Sequence, residues 1–156
     1  MKSAVSSRPR ILIVMRAIVI NASKILLIQR SRNDSHNPSK WEIPGGKLDQ
    51  GQDLETAAER EVIEEAGLYS TPIKKFVFFE ESIANQTEKY KGIPYIGFSS
   101  LYKSESSKVR LSEEHEDYKW VTFEKALREN ITEFTRKSLL AWEEEIKAYL
   151  KNKDIS

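Results

Sequence analysis

Three carboxylates, Glu61, Glu64 and Glu65, lie near the end of a stretch that reads as a helix. At about 100° per residue they share one arc of roughly 100° around the axis. Leu54, Ala58, Val62 and Ala66 recur every fourth residue and mark an apolar stripe. Glu61 and Glu65 border that stripe, so part of the acidic arc faces into the fold. Helix physics opposes the pattern. Like charges at i, i+4 cost about 0.2–0.5 kcal/mol, and acids in a last turn oppose the macrodipole by about 0.3–1 kcal/mol. A divalent cation turns both penalties into attraction. Hard oxygen ligands suit Mg2+ or Mn2+, and Mg2+ completes its shell with water and substrate phosphates. A solvated acidic helix end is the competing reading of the carboxylates alone.

The elements that must position these acids follow from patterning. The helix is predicted to start at Gln52 or Asp53 and to stop at Gly67, where glycine takes the left-handed cap conformation. Ile11–Ile20 and Ile25–Gln29 are aliphatic, β-branched runs joined by Asn21–Lys24, a predicted hairpin. Residues 31–39 form a polar loop. Strands are predicted at Lys75–Glu81 after a break at Pro72, at Pro94–Tyr102 and at Tyr118–Phe123, with polar loops at 85–92 and 104–112. Glu124–Arg128 reads as a helical turn or two. Thr135–Lys151 reads as the last helix, with Leu139, Trp142, Ile146 and Leu150 on one face. Strands interleaved with two long helices predict an α/β fold, a mixed sheet covered on both faces.

Composition narrows the function classes. The 156 residues suit one domain with one core, predicted over 11–156 after a flexible 1–10. With 25 basic and 24 acidic residues there is no global field to attract nucleic acid or a membrane surface. The chain has no cysteine, which excludes disulfides, thiolate metal sites and cysteine nucleophiles. Residues 1–20 imitate a secretion signal in outline, but Arg16 interrupts the apolar run, so a buried strand is predicted instead. No segment approaches the roughly 20 apolar residues of a membrane span. These features are compatible with a cytoplasmic protein, as monomer or homodimer.

From Gly46 through Gln52 to Arg60-Glu61-Val62-Ile63-Glu64-Glu65-Ala66-Gly67-Leu68, the spacing closely resembles the Nudix box, Gly-x5-Glu-x7-Arg-Glu-U-x-Glu-Glu-x-Gly-U, with U a bulky apolar residue. One specified position departs: Gln52 stands where the family has Glu. Trp41–Lys47 resembles the usual lead-in, and Trp120-Val121 the usual late strand. The resemblance implies the family's α/β/α sandwich and Mg2+-dependent hydrolysis of a nucleoside diphosphate linked to another group, with Mn2+ a substitute. MutT-like hydrolysis of a (d)NTP to a nucleoside monophosphate and diphosphate is the favoured form. ADP-ribose, nucleotide sugars and dinucleoside polyphosphates are alternatives. Some of these are disfavoured because Ile83–Gln86 lacks the Pro or Tyr of those subgroups. A nucleotide sensor without turnover is the remaining alternative, and the departure at Gln52 is its chief argument.

Carried onto this chain, the resemblance implies that Glu61, Glu64 and Glu65 are metal ligands, joined by the backbone carbonyl of Gly45. It implies one further ligand or base among Glu113, Glu114 and Glu116, with Glu114 favoured by its distance from Trp120. Glu64, Glu65 or Glu114 is then the general base. Arg60 is implied to orient the carboxylates through the residue at Gln52, where an amide lacks the charge-assisted bond; Asp49 or Asp53 are substitutes. Arg30, Arg32 and Lys47 are candidate phosphate contacts. Asn130 and Thr132 either read a base or cap the last helix. Trp41 is core or a stacking surface, and His115 in the same loop as Glu114 is a further candidate for acid–base chemistry.

Overall fold

The computed structural model describes residues 10–81 and 90–153. The 1–9 segment, most of the predicted 85–92 loop and the substrate-related Ile83–Gln86 lie outside them. The fold is organised by β1 (Leu12–Asn21), whose alternate side chains enter two separate cores. Met15, Ala17 and Val19 point to one face and Ile18 and Ile20 to the other. Burial on both faces explains an unbroken aliphatic run instead of polar alternation.

β1 turns tightly into β2 (Lys24–Arg30), with Asn21 paired to Lys24. Ala22 and Ser23 hold φ of 45° and 70°, the left-handed pair that a two-residue hairpin needs, here without glycine. β3 (Trp41–Glu42) pairs with β2, and β4 (Gly45–Lys47) pairs with β1. After α1 (Ala57–Ala66), β5 (Ser70–Glu81) and β6 (Tyr95–Ser104) form an antiparallel pair. β6 lies parallel to β1, and β7 (His115–Val121) pairs with β2. The seven-stranded sheet is therefore mixed, with the order β3-β2-β1-β6-β5 and β4 and β7 branching from it.

One face carries α1 through Ala58, Val62 and Ala66. The other carries α2 (Phe123–Arg128), α3 (Glu133–Ala141) and α4 (Glu143–Lys153) through Phe123, Leu139, Trp142 and Ile146. This is an α/β/α sandwich. Pro72 does not end an element as predicted. It sits inside β5, an edge strand with register shifts on both sides of Lys74, where a missing N–H and a bulge are tolerated. The predicted last helix is two helices. The break falls at Trp142, whose buried indole Nε1–H donates to Ser99 Oγ at 3.0 Å.

Candidate active site

The helix α1 begins at Ala57, later than Gln52 or Asp53. Asp53 folds its own carboxylate onto Glu55 N–H (3.0 Å) and Thr56 Oγ1 (3.2 Å), a local turn that competes with helix. The other end fits the sequence reading. Gly67 takes φ 66° and its N–H closes on Ile63 O at 3.0 Å. Over the last turns the three acids divide by burial. Glu65 is buried, Glu61 half-buried and Glu64 exposed.

The glycine doublet sets the floor of the site. Arg16 pairs with Gly45 across β1 and β4. A Cβ on Gly45 would stand 2.2 Å from Met15 O, and its φ of 153° also favours glycine. Gly45 N–H lies 3.5 Å from Glu65 Oε2. A Cβ on Gly46 would come within 3.3 Å of Glu61 Oε1, so this loop leaves space beside the carboxylate. Burial pushes the Glu65 carboxyl up to about 9; Arg16 opposes the rise, and Glu42 and Glu61 add to it. Burial also raises Glu61, opposed by a hydrogen bond with Glu65 and reinforced by Glu64 and Glu114.

That influence of Glu114 shows which loop faces the helix. Arg110 N–H donates to Ala66 O at 2.9 Å and Ser112 N–H to Glu65 O at 3.2 Å. The segment before β7 thus satisfies two of the carbonyls that a helix end leaves open, and it carries Glu114 to the acidic arc. Glu116 turns elsewhere. Its carboxylate accepts Arg32 N–H at 2.6 Å and pairs with Arg32 Nε at 3.4 Å. The backbone bond from Arg32 is the main reason its carboxyl is held below the usual range.

The remaining sequence candidates separate in space. Arg60 pairs with Glu64 at 3.6 Å. Gln52 instead accepts from Asp49 N–H at 2.8 Å, and Asp53 is spent on its turn, so among the described contacts none of the three engages Arg60. Arg30 is spoken for: Nη1 meets both Glu42 oxygens at 3.1 and 3.2 Å, Nη2 meets Asp34 at 2.7 Å, and Nε donates to His36 O at 2.9 Å. Lys47 lies over the Tyr90 ring at 5.0 Å. Asn130 is exposed and its carbonyl accepts Trp41 N–H at 2.9 Å, while Thr132 Oγ1 caps α3 through Thr135 N–H. Trp41 packs against the core with Lys119 Nζ 4.0 Å from its ring centre.

Sequence reasoning missed the buried lattice behind the acids. Glu42 sits at its centre, 3.3 Å from Arg16 Nη1, 3.1 Å from Arg30 Nη1 and 2.9 Å from His115 Nε2. Arg16 Nη1 also donates to Ile43 O at 2.9 Å, and its guanidinium lies 5.3 Å from the Phe134 ring centre. The available signal was Arg16 itself: a lone charge inside an aliphatic strand needs a buried partner. Burial pushes the Glu42 carboxyl up, but Arg16, the His115 hydrogen bond and Arg30 together pull it down to about 2. A depressed carboxyl contributes stability above its unfolded value, and that contribution is lost as pH falls through the folded value. Urea unfolding between pH 5 and pH 2 should therefore show wild type losing stability faster than Glu42→Gln. Parallel acid limbs would remove Glu42 from the account.

Among the described residues no three acids, cysteines or histidines form a ready-made cation cage. The donor chemistry nevertheless fits a hard cation. Two acids share a hydrogen bond under burial that disfavours their charge, and the glycine loop keeps the approach to Glu61 open.

Comparison with known proteins agrees with this fold. The model of the NUDIX domain matches residues 11–142. The chain is 30% identical over 125 residues to nucleoside triphosphatase NudI of Enterobacter sp. (strain 638), covering 76% of this chain and 87% of that protein. It is 28% identical over 128 residues to the Escherichia coli (strain K12) NudI, covering 78% and 89%. The crystal structure of the MutT protein from Methanosarcina mazei Go1 superposes with a TM-score of 0.73 at 27% identity, covering 90% of this chain and 98% of that one.

Proposed function

Because the chain belongs to the Nudix family and is a pyrophosphohydrolase, we propose that it hydrolyses a nucleoside triphosphate with Mg2+, releasing a nucleoside monophosphate and diphosphate. Members of the family generally use divalent metal ions and act on small nucleotides. The observation that carries the reading is the pairing of buried Glu65 with Glu61 beneath an open glycine loop, where burial penalises negative charge until a cation compensates it. The triphosphate substrate rests on the NudI relatives, whose name says nucleoside triphosphatase.

Glu61, Glu64 and Glu65, with the Gly45 carbonyl and Glu114, would hold the ion. When bound, it supplies charge neutralisation and Lewis acidity at the phosphates. The protein's own groups do the rest. Water attacks a phosphorus atom, the anhydride bond breaks and diphosphate leaves. Glu64 or Glu114, the more exposed acids, or Glu65, beside Gly45 N–H, would take the proton from that water. Arg60 holds Glu64 on the same arc. Among the described residues no helix is long and apolar enough to cross a membrane, and the reading places the enzyme in the cytoplasm as a monomer or homodimer, without nucleic-acid partners.

The test is diphosphate release from a panel of canonical and oxidised (d)NTPs, ADP-ribose and a dinucleoside polyphosphate. Release from a triphosphate that stops with EDTA and returns with Mg2+ is the expected result. Turnover of ADP-ribose or a dinucleoside polyphosphate alone would replace the substrate. Tight nucleotide binding without turnover would favour the sensor, with Gln52 the first suspect.

A further inference from the structure

We propose that His115 is a positioning residue, which ties the loop carrying Glu114 to the clamped carboxylate of Glu42 beside Glu65 and so fixes the geometry in which the acidic arc receives its cation. The inference rests on the reading above and adds a residue to it.

His115 opens β7 and is buried. Its Nε2 is 2.9 Å from Glu42 Oε2 and 3.9 Å from Glu65 Oε2. An ionised carboxylate only accepts, so the short contact to Glu42 places a proton on Nε2. Nδ1 is buried with no hydrogen-bond partner among the described residues. The ring's hydrogen bond therefore goes to Glu42, with Glu65 next to it just beyond hydrogen-bond reach. A ring present for packing alone would be cheaper as an apolar residue, because an unpartnered buried nitrogen carries a desolvation cost.

Glu65 Oε2 is flanked by Gly45 N–H at 3.5 Å and His115 Nε2 at 3.9 Å, while Glu65 also shares a hydrogen bond with Glu61. The Gly45 N–H is the donor that reaches this oxygen, and the buried His115 ring, held by Glu42, stands beside it and limits the space in which the carboxylate can turn. The backbone bonds from Arg110 and Ser112 hold the loop at the end of α1. His115 adds a side-chain contact from that loop, one residue beyond Glu114. Glu42 is in turn clamped by Arg16 and Arg30, so the anchor behind the ring is rigid.

The experiment titrates Mn2+ calorimetrically into the nucleotide-free protein and measures kcat and KM separately. His115→Leu is expected to weaken Mn2+ binding by about 10-fold or more, in the range for loss of an outer-shell partner, and to lower kcat more than it raises KM. His115→Gln, whose amide nitrogen reaches the Nε2 position, should restore most of both. If His115→Leu does not fold, His115→Asn, whose amide falls short of Glu42, replaces it and should show the same loss. Wild-type Mn2+ affinity in His115→Leu or His115→Asn, or an equal loss in His115→Gln, overturns the inference and leaves the enzyme reading standing. Wild-type protein that neither binds Mn2+ nor turns over nucleotide overturns both, before any variant is compared.

Discussion

Replacing Glu65 with glutamine should abolish nearly all metal-dependent turnover and leave the metal-free fold as stable as before. The loss should exceed the roughly 10–100-fold cost of removing an outer-shell partner, because Glu65 is a proposed ligand. The stability side follows from burial. Glu65 is buried beside Glu42 and Glu61, and its carboxyl is raised to about 9. Near neutral pH, without a cation, the folded protein therefore holds it protonated. Glutamine has the same shape and carries no charge to desolvate, so the metal-free melting temperature should stay level or rise. Wild type should be stabilised by added Mg2+ through mass action, and Glu65→Gln should not. Calorimetric melting with EDTA and with Mg2+, beside diphosphate release, checks both halves. Full activity in the variant would remove Glu65 from the metal site. A collapse of the metal-free protein would show that its role is structural.

The sequence made the box helix readable because three signals agree there: a four-residue apolar stripe, a glycine stop and an acidic arc. Its start was not readable, because Asp53 has equal claim to a helix turn and to the local turn it makes with Glu55 and Thr56. The last helix read as one because Leu139, Trp142, Ile146 and Leu150 keep helical spacing through the break, and spacing does not report the bond that anchors Trp142 to Ser99. Pro72 read as a boundary because only the sheet order reveals β5 as an edge strand. At the site, the acids on one helix were visible as a pattern. The lattice of Arg16, Arg30, Glu42 and His115 was not, since its members come from four strand segments and meet only through pairing. Arg30 shows the consequence. Its position beside the expected phosphate region suggested substrate binding, whereas its guanidinium is committed to Glu42 and Asp34.

That lattice makes a second strong demand on the chain. Glu42→Ala should lower stability by about 3–5 kcal/mol, the usual cost of removing one partner from a buried ion pair. For a chain of this size that is roughly a 10 °C fall in melting temperature. The loss is not shared equally. Arg30 keeps Asp34 and the His36 carbonyl, so its charge stays compensated. Arg16 keeps the Ile43 carbonyl, the Phe134 ring and the nearby Glu65 carboxyl, which burial holds uncharged, and its Nε is already buried without a hydrogen-bond partner among the described residues. The stranded charge on Arg16 should therefore dominate. Removing it should recover part of the stability: the double variant Arg16→Met with Glu42→Ala should melt above Glu42→Ala alone, since an uncompensated buried charge costs more than an apolar replacement of the pair. A double-mutant cycle by urea unfolding isolates this coupling. Additive single effects would mean that the two side chains stabilise the fold independently, and that the 3.3 Å contact between them carries little of the energy.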